Sequence, residues 1–187
     1  MRTEDNTPEL EFDHLAVERN SFADAYFIAH STISPIHLPI VKAGICISLA
    51  VLSASVLPLY HTFFSGIVMP TIAICFFILL ALFFMIAWPS IIKGRGAKIF
   101  DSNQMMALTF SVAFFKSFFE IQNEKEIIRE YWTEVDRSLE TKNMFIILGG
   151  EQRPLLLIEK KNLSNEQQNK LSSFLEKVLI FKHKKVK

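Results

Sequence analysis

The dominant feature of the hydropathy pattern is one long stretch of chain without charged side chains. From Ala43 to Ile92, 50 consecutive positions contain no Asp, Glu, Lys or Arg. A bilayer core about 30 Å thick is crossed by a helix of about 20 apolar residues. The stretch is therefore too long for one crossing and suits two, joined by a tight turn.

The middle of this stretch holds a group of helix breakers and polar residues, which predicts where the turn lies. They are Pro58, Tyr60-His61-Thr62 and Ser65-Gly66. Because backbone amides find no water in hydrocarbon, each crossing has to be helical. We predict a first helix over Leu38–Leu59, a second over Ile67–Ile91, and thus a two-span transmembrane hairpin over residues 38–92.

Composition agrees with this segregation of apolar and polar residues. Half of the residues are hydrophobic and 21% are charged, and the mean hydropathy is nevertheless +0.28. The alternative is a buried helical hairpin in a soluble protein, but covering both helices would require more chain than the remaining residues supply. We therefore predict an integral membrane protein.

The distribution of basic residues predicts its orientation. The connecting turn carries no Lys or Arg, whereas Lys42 lies at the start of the first helix, before the charge-free stretch, and Lys93, Arg95 and Lys98 follow the second. Basic residues next to membrane helices favour the cytoplasmic side. Both termini are therefore expected in the cytoplasm.

The N-terminal segment, residues 1–37, is predicted to contain a strand and a juxtamembrane helix. Glu9–Asp13 alternates polar and apolar residues, as a half-buried strand does. Ser21 is a suitable helix cap. Apolar residues follow it at helical spacing, namely Phe22, Tyr26, Ala29 and Ile33. Pro35 and Pro39 should end this helix before the first membrane helix.

The segment after the hairpin predicts a flexible basic hinge over residues 93–104, because Lys93-Gly94-Arg95-Gly96 combines cations with glycine. Met105–Phe115 is apolar but too short to cross a bilayer. Ala107–Phe110 favours a strand. An interfacial helix is the alternative for this apolar segment.

The rest of the chain up to Asn162 reads as a series of short strands. The runs are Phe118–Ile121, Lys125–Trp132, Glu134–Glu140, Met144–Leu148 and Leu155–Glu159. Gly149-Gly150 between two apolar runs is a hairpin signal, because glycine reaches positive φ without strain. Short strands with no helix between them favour an antiparallel meander.

One amphipathic helix closes the sequence. Ser164 and Gln167 have the spacing of a capping box. An apolar stripe follows, formed by Leu171, Phe174, Leu175, Val178 and Phe181. The predicted fold class is a membrane α-helical hairpin plus a small cytoplasmic α+β domain over residues 105–182, an antiparallel pleckstrin-homology-like half-barrel capped by the C-terminal helix. The number of strands alone does not distinguish this fold from other small α+β folds. Residues 183–187 form a basic tail.

Several short motifs follow the two closely spaced membrane helices, namely Trp132-x-x-Val135, Glu140-Thr141, Phe145 and Leu157–Leu163. Their order resembles that of the YcxB-like family of bacterial membrane proteins. The family's Ile-Pro-Lys corresponds here to Ile158-Glu159-Lys160, without the proline. The resemblance implies a bacterial inner-membrane protein with a cytoplasmic pleckstrin-homology-like domain, and no established enzymatic activity.

No motif in the sequence points to catalysis, so no enzymatic activity, catalytic residue or cofactor is predicted. The five histidines lack the paired spacing of a zinc site. Cys46 and Cys75 both lie inside predicted membrane helices and should behave as small apolar residues. Neither membrane helix carries an ionisable group at depth, unlike those of pumps and transporters. Nucleic acid is not an expected partner, because the aromatic residues belong to the core and the membrane.

The expected partners are the lipid bilayer and an unidentified protein. Clusters of cations next to a membrane attract anionic lipid. The residues predicted to contact lipid headgroups are Lys93, Arg95, Lys98, Lys182, Lys184 and Lys185. For the last three, the alternative is that they form a solvated tail without lipid contact. The first membrane helix has a face of small residues that should pack on the second helix, and such a face also allows a homo-oligomer. It consists of Ala43, Cys46, Ser48, Ala50, Ser53, Ala54 and Ser55.

Two functional hypotheses follow. The first is a membrane-anchored cytoplasmic binding or regulatory module, in which the hairpin holds the small domain near the bilayer. The second is an immunity protein that neutralises a membrane-acting bacterial toxin through contacts with the membrane helices.

Overall fold

The computed structural model describes residues 7–64, 68–102, 107–150 and 153–186. The chain divides into two compact units. One unit comprises Met1–Ala29 and Gly96–Lys187, and the other comprises His30–Arg95. Each unit is described by itself.

The unit His30–Arg95 is helical. After a 3₁₀ turn at Pro35–His37 come α2 (Pro39–Phe64), α3 (Val68–Leu82), a π-helical turn (Phe83–Ala87) and the beginning of α4 (Trp88–Ser102). Two helical stretches, Pro39–Pro58 and Val68–Ser102, are long and apolar enough to cross a membrane. Only 17% of the most apolar window in the first and 6% in the second are buried within the protein. Most of their apolar side chains are thus exposed, which is not the arrangement of core helices in a soluble protein.

The first helix is longer than the sequence predicted. It continues through Pro58 to Phe64, so the turn predicted at Pro58 and at residues 60–62 is wrong, and Ser65-Gly66 lies outside the described residues. A proline in a helix removes one hydrogen bond. Continuing the helix keeps the remaining backbone groups hydrogen-bonded within the segment. The proline is therefore accommodated instead of ending the helix.

The predicted basic hinge is also wrong over residues 93–102, which are helical within α4, and its last two residues, 103–104, lie outside the described residues. Lysine, arginine and isolated glycine are tolerated inside helices, glycine at a cost of about 1 kcal/mol. Gly96 has a packing role. A Cβ atom at this position would lie 2.9 Å from Tyr26 Cβ and 3.1 Å from Ala23 Cα. This glycine thus allows close contact with the N-terminal helix.

The small-residue face of α2 packs only in part as predicted. Ala43, Cys46 and Ala50 are buried, and Ala43 and Cys46 pack in one cluster with Ala81 of α3. The serines do not join this contact. Ser48 and Ser55 are exposed and Ser53 is half-buried. Their hydroxyls donate hydrogen bonds to carbonyl oxygens in the preceding turn of the same helix, from Ser48 to Gly44, Ser53 to Leu49 and Ser55 to Leu52.

The other unit contains two four-stranded sheets and two covering helices. Sheet A has the order β1-β2-β3-β4 and is antiparallel, with β1 Leu10–Leu15, β2 Phe110–Phe114, β3 Phe118–Asn123 and β4 Ile127–Tyr131. Sheet B has the order β7-β6-β5-β8, with β5 Val135–Glu140, β6 Met144–Gly149, β7 Pro154–Glu159 and β8 His183–Lys185. The helices are α1 (Arg19–Ser31), nearly all of which lies in this unit, and α5 (Asn165–Val178).

The predicted α+β class with short antiparallel strands is confirmed, but the sheet arrangement differs from a single meander. The N-terminal strand β1 pairs with β2, so that Leu10 lies opposite Phe114 and Phe12 opposite Val112. The strand predicted at 107–110 begins only at Phe110 and continues to Phe114, and the described residues 107–115 form no interfacial α-helix. β8 pairs in parallel with β5, so residues 183–185 are a strand and not a free tail.

Sheet B is buried on both faces. Phe145 and Ile147 of β6 face a core completed by sheet A and by Leu171 and Leu175 of α5. The alternate side chains of β6, such as Ile146, pack with Phe22, Ala25 and Ala29 of α1 in a second core. An uninterrupted apolar run such as Met144–Leu148 is expected of a strand covered on two sides. The capping box of α5 predicted at Ser164 and Gln167 is confirmed.

Candidate functional site

The main cavity described in the sheet-containing unit lies between the free edges of the two sheets. It has a volume of about 490 Å³ and is bordered by β4 on one side and β7 on the other, with α1 and the C-terminal part of α4 closing it. Pockets of this size are typical of sites that take a small ligand or an inserted side chain. Its apolar lining includes Phe22, Tyr26, Ile99, Phe110, Ile121, Ile128 and Leu155.

The alternation of side chains in sheet A builds one wall of this edge pocket. Ile121 of β3 lies opposite Ile128 of β4, so both point to the same face of the sheet. Ile127 is next to Ile128 in the chain and therefore points to the opposite face, where its side chain is 63% exposed. Part of the inner face of sheet A is not covered by α5. The pocket lies over this part of the sheet, and the edge of β7 borders the pocket.

One ion pair lies at this pocket. Arg153, just before β7, donates a hydrogen bond of 2.9 Å from Nη2 to Oε1 of Glu130 on β4. The Glu130 side chain is 11% exposed and that of Arg153 is 71% exposed. Burial raises the pKa of Glu130, and the positive charge of Arg153 opposes this increase. The carboxylate is thus held in an apolar place by a partner that reaches solvent.

The chemistry of the pocket favours binding. Apolar walls with a few polar groups at the border suit an apolar group with a polar neighbour. A carboxyl group whose pKa is shifted inside a cleft is a frequent mark of a functional site. Among the described residues, no group of three or more His, Cys, Asp or Glu side chains is arranged to hold a metal ion.

A second polar centre joins the motif residues on which the family resemblance rests. Oε1 of Glu140 accepts a hydrogen bond of 2.8 Å from Lys160 Nζ, and its Oε2 accepts one of 2.7 Å from Ser172. The ammonium of Lys160 also lies 4.7 Å from the ring centroid of Phe145. His183 Nε2 is 3.4 Å from Glu140. These contacts tie β5, β6, β8 and α5 together, which is a structural role.

The pKa of Glu140 reflects these neighbours. Burial raises it, but the hydrogen bonds from Lys160 and Ser172 and the charges of Lys160 and Lys185 together lower it below its usual value. For His183, burial is the largest influence and lowers the pKa, while the negative charge of Glu140 opposes this. Glu140 is therefore charged and His183 neutral at pH 7.

The six cations of the predicted lipid-headgroup set lie in two places. Lys93, Arg95 and Lys98 are exposed on α4. Of the others, Lys182 Nζ donates a hydrogen bond of 2.6 Å to the carbonyl of Val135, and Lys185 Nζ lies 2.7 Å from Glu176. Lys184 is exposed on β8. Lys182 and Lys185 thus make contacts within the protein.

Sequence reasoning missed Glu130 and Arg153. One signal was present, because Glu130 follows Ile128 at the two-residue spacing of a strand and so shares its inward face. Strand periodicity could not identify the partner of Glu130, because Arg153 directly precedes a strand of the other sheet.

No protein-family model matches the chain, and no curated protein matches it significantly.

Proposed function

We propose that this protein is a two-span protein of a bacterial inner membrane, with both termini in the cytoplasm. The observation that supports this most is the exposure of the apolar side chains on α2 and on α3–α4, which water would not solvate favourably. The proposed orientation follows from the cations that flank the two helices and from their absence in the turn.

The proposed molecular role is that of a membrane-anchored binding module. The two sheets and α5 are compatible with a pleckstrin-homology-like half-barrel, as the resemblance to the YcxB-like family implies. The edge pocket between β4 and β7 is its binding site in this proposal, and the ligand is an apolar side chain of a partner protein at the membrane. Anchoring raises the effective concentration of the module for such a partner.

An extended strand is a less suitable ligand for the pocket than a single side chain. Pro154 at the beginning of β7 has no N–H to offer an added strand. The ion pair between Glu130 and Arg153 also connects the two sheet edges, and a strand running between them would have to break it.

Site-specific photocrosslinking in intact cells tests the role of the pocket. A benzophenone side chain replaces either Ile128, which lines the pocket, or Ile127, which points to the opposite face of the same strand. We expect a crosslinked partner from position 128 and none from position 127. Equal products at both positions, or none at 128, would contradict the proposal.

The identity of the crosslinked partner distinguishes the two functional hypotheses. A membrane-acting toxin at position 128 would favour an immunity protein, and a cellular membrane protein would favour a regulatory module. Membrane insertion is tested separately with the full chain, which should remain with the membrane in alkaline carbonate and leave it only in detergent.

A further inference from the structure

The unit His30–Arg95 carries cationic side chains and no acidic one. Its sequence contains Lys42, Lys93, Arg95 and three histidines, but no Asp or Glu. The unit therefore offers no carboxylate of its own to neutralise these cations.

Four basic side chains of this unit gather in a basic cluster, which comprises His30, His37, Lys42 and Arg95. The ring centroids of His30 and His37 lie 5.6 Å apart. Burial lowers the pKa of His30, and the positive charges of His37, Lys42 and Arg95 lower it further. The fixed positive charges of Lys42 and Arg95 repel each other, and an anion bound beside them would remove that cost.

Aromatic rings hold Lys42 in position within the basic cluster. Its Nζ lies 4.3 Å from the ring centroid of Trp88 and 5.4 Å from that of Phe84. A cation over an aromatic face is stabilised by about 0.5–2 kcal/mol. Since Lys42 belongs to α2 and Trp88 to α4, the two helices together orient the ammonium group. Tryptophan is also enriched at the boundary between hydrocarbon and headgroups.

Two ring nitrogens beside these cations lack hydrogen-bond partners. His37 Nδ1 and Trp88 Nε1 are buried, and neither is hydrogen-bonded within the described part of the chain. The indole nitrogen can only donate. A buried donor without an acceptor costs about 1–3 kcal/mol. Phosphate oxygens would accept from such donors as well as from lysine and arginine.

We propose that His30, His37, Lys42 and Arg95 bind the phosphate of an anionic lipid headgroup. The lipid as source of the phosphate rests on the membrane insertion proposed above, but the site is independent of the edge pocket and its partner. Of the six cations that the sequence indicated for lipid, only Arg95 belongs to the basic cluster. The other three members come from α1, from the 3₁₀ turn and from α2.

Native mass spectrometry of the full-length protein in a mild detergent tests this site. The protein is offered phosphatidylglycerol and phosphatidylcholine with the same acyl chains. We expect wild-type protein to retain phosphatidylglycerol preferentially. Because each cation near a lipid surface contributes a factor of about 5, Lys42→Gln combined with Arg95→Gln should weaken that retention about twenty-five-fold.

The matched control is Lys116→Gln with Lys142→Gln, which removes the same charge from exposed positions of the other unit and should leave retention unchanged. Lys42→Arg should keep most of the retention, and it guards against a variant that merely fails to fold. The proposal is overturned if the double variant of the basic cluster retains phosphatidylglycerol like wild type, or if the control pair loses it equally.

A third arm adds inorganic phosphate at millimolar concentration. We expect phosphate to leave the bound phosphatidylglycerol in place. Full displacement would overturn a lipid as the ligand and indicate free phosphate at the same residues. If alkaline carbonate removes the chain from membranes, the proposed membrane insertion is refuted. The arm with inorganic phosphate would still measure whether the basic cluster binds phosphate.

Discussion

Lys160 donates a hydrogen bond of 2.8 Å from its ammonium to the carboxylate of Glu140, although 20 residues separate the two in the chain. Both side chains are largely buried, at 17% and 14% exposed. Ser172 donates to the second oxygen of the same carboxylate, from α5. The charge on Glu140 thus connects the end of β5, the turn after β7 and the C-terminal helix.

Replacing this carboxylate should destabilise the protein in a pH-dependent way. Glu140→Gln removes the charge that Lys160 and Lys185 face, and we expect a loss of about 1–3 kcal/mol at pH 7. Because the folded-state pKa of Glu140 is lowered, its stabilising effect is present above the unfolded pKa of about 4.3 and is lost as pH falls through the folded pKa. Urea unfolding in nanodiscs at several pH values measures this.

The difference in stability between wild type and Glu140→Gln should therefore shrink below pH 4. Glu176→Gln is the control, because Glu176 is half-exposed and its ion pair with Lys185 is accessible to solvent. A pH-independent effect of Glu140→Gln would show that the charge does not contribute.

Trp132 is expected to be essential to the main core. Its indole nitrogen donates a hydrogen bond of 2.9 Å to the carbonyl of Phe115, and its ring packs with Phe114, Phe119 and Phe174. Trp132→Phe leaves that buried carbonyl without its donor and opens a cavity, so we expect a loss of about 2–4 kcal/mol. Tyr131→Phe, at the exposed neighbouring residue that ends β4, should change stability by less than about 0.5 kcal/mol. Thermal unfolding that ranks the two variants equally would contradict this account.

Two glycines of α4 should respond in opposite directions to alanine. A Cβ atom at Gly96 would lie within 3.1 Å of Tyr26 and Ala23, whereas nothing lies within 4 Å of one at Gly94. We expect Gly94→Ala to stabilise the helix by up to about 1 kcal/mol and Gly96→Ala to destabilise the contact with α1 by about 1–3 kcal/mol. Hydrogen exchange of α1 and α4 measures both. Equal effects would instead favour the flexible hinge that the sequence alone indicates.

Removing Lys182–Lys187 should cost far more than the loss of a solvated tail. The backbone of this segment bonds to β5, from Ser138 N to the Lys182 carbonyl at 2.8 Å and from Val186 N to the Glu140 carbonyl at 2.7 Å. With the bond from Lys182 Nζ to Val135 also lost, we expect a destabilisation of about 2–4 kcal/mol. Lys184→Gln, on an exposed side chain, is the control and should be neutral. A truncated chain with wild-type urea sensitivity would exclude β8 as a stabilising strand.

The sequence by itself determined the features that depend on near neighbours. A charge-free stretch of this length leaves helices as the only way to satisfy its backbone in an apolar environment. The capping box at Ser164 and Gln167 is closed within four residues. The runs that became β3 to β7 were visible because apolar residues and turn signals alternate over short distances. These contacts are local, so the residues that make them can be read directly.

Only the tertiary structure decided what depends on residues far apart. The pairing of β1 with β2, the parallel addition of β8 to β5, and the ion pair between Glu130 and Arg153 each join segments whose attraction depends on the shared burial of their faces. Gly96 is a further example, because its close contact with Tyr26, and not a need for chain flexibility, accounts for a glycine at this position. The physical reason is that burial stabilises surfaces that come into contact only in the folded chain. A local sequence pattern does not identify the surface against which each of them packs.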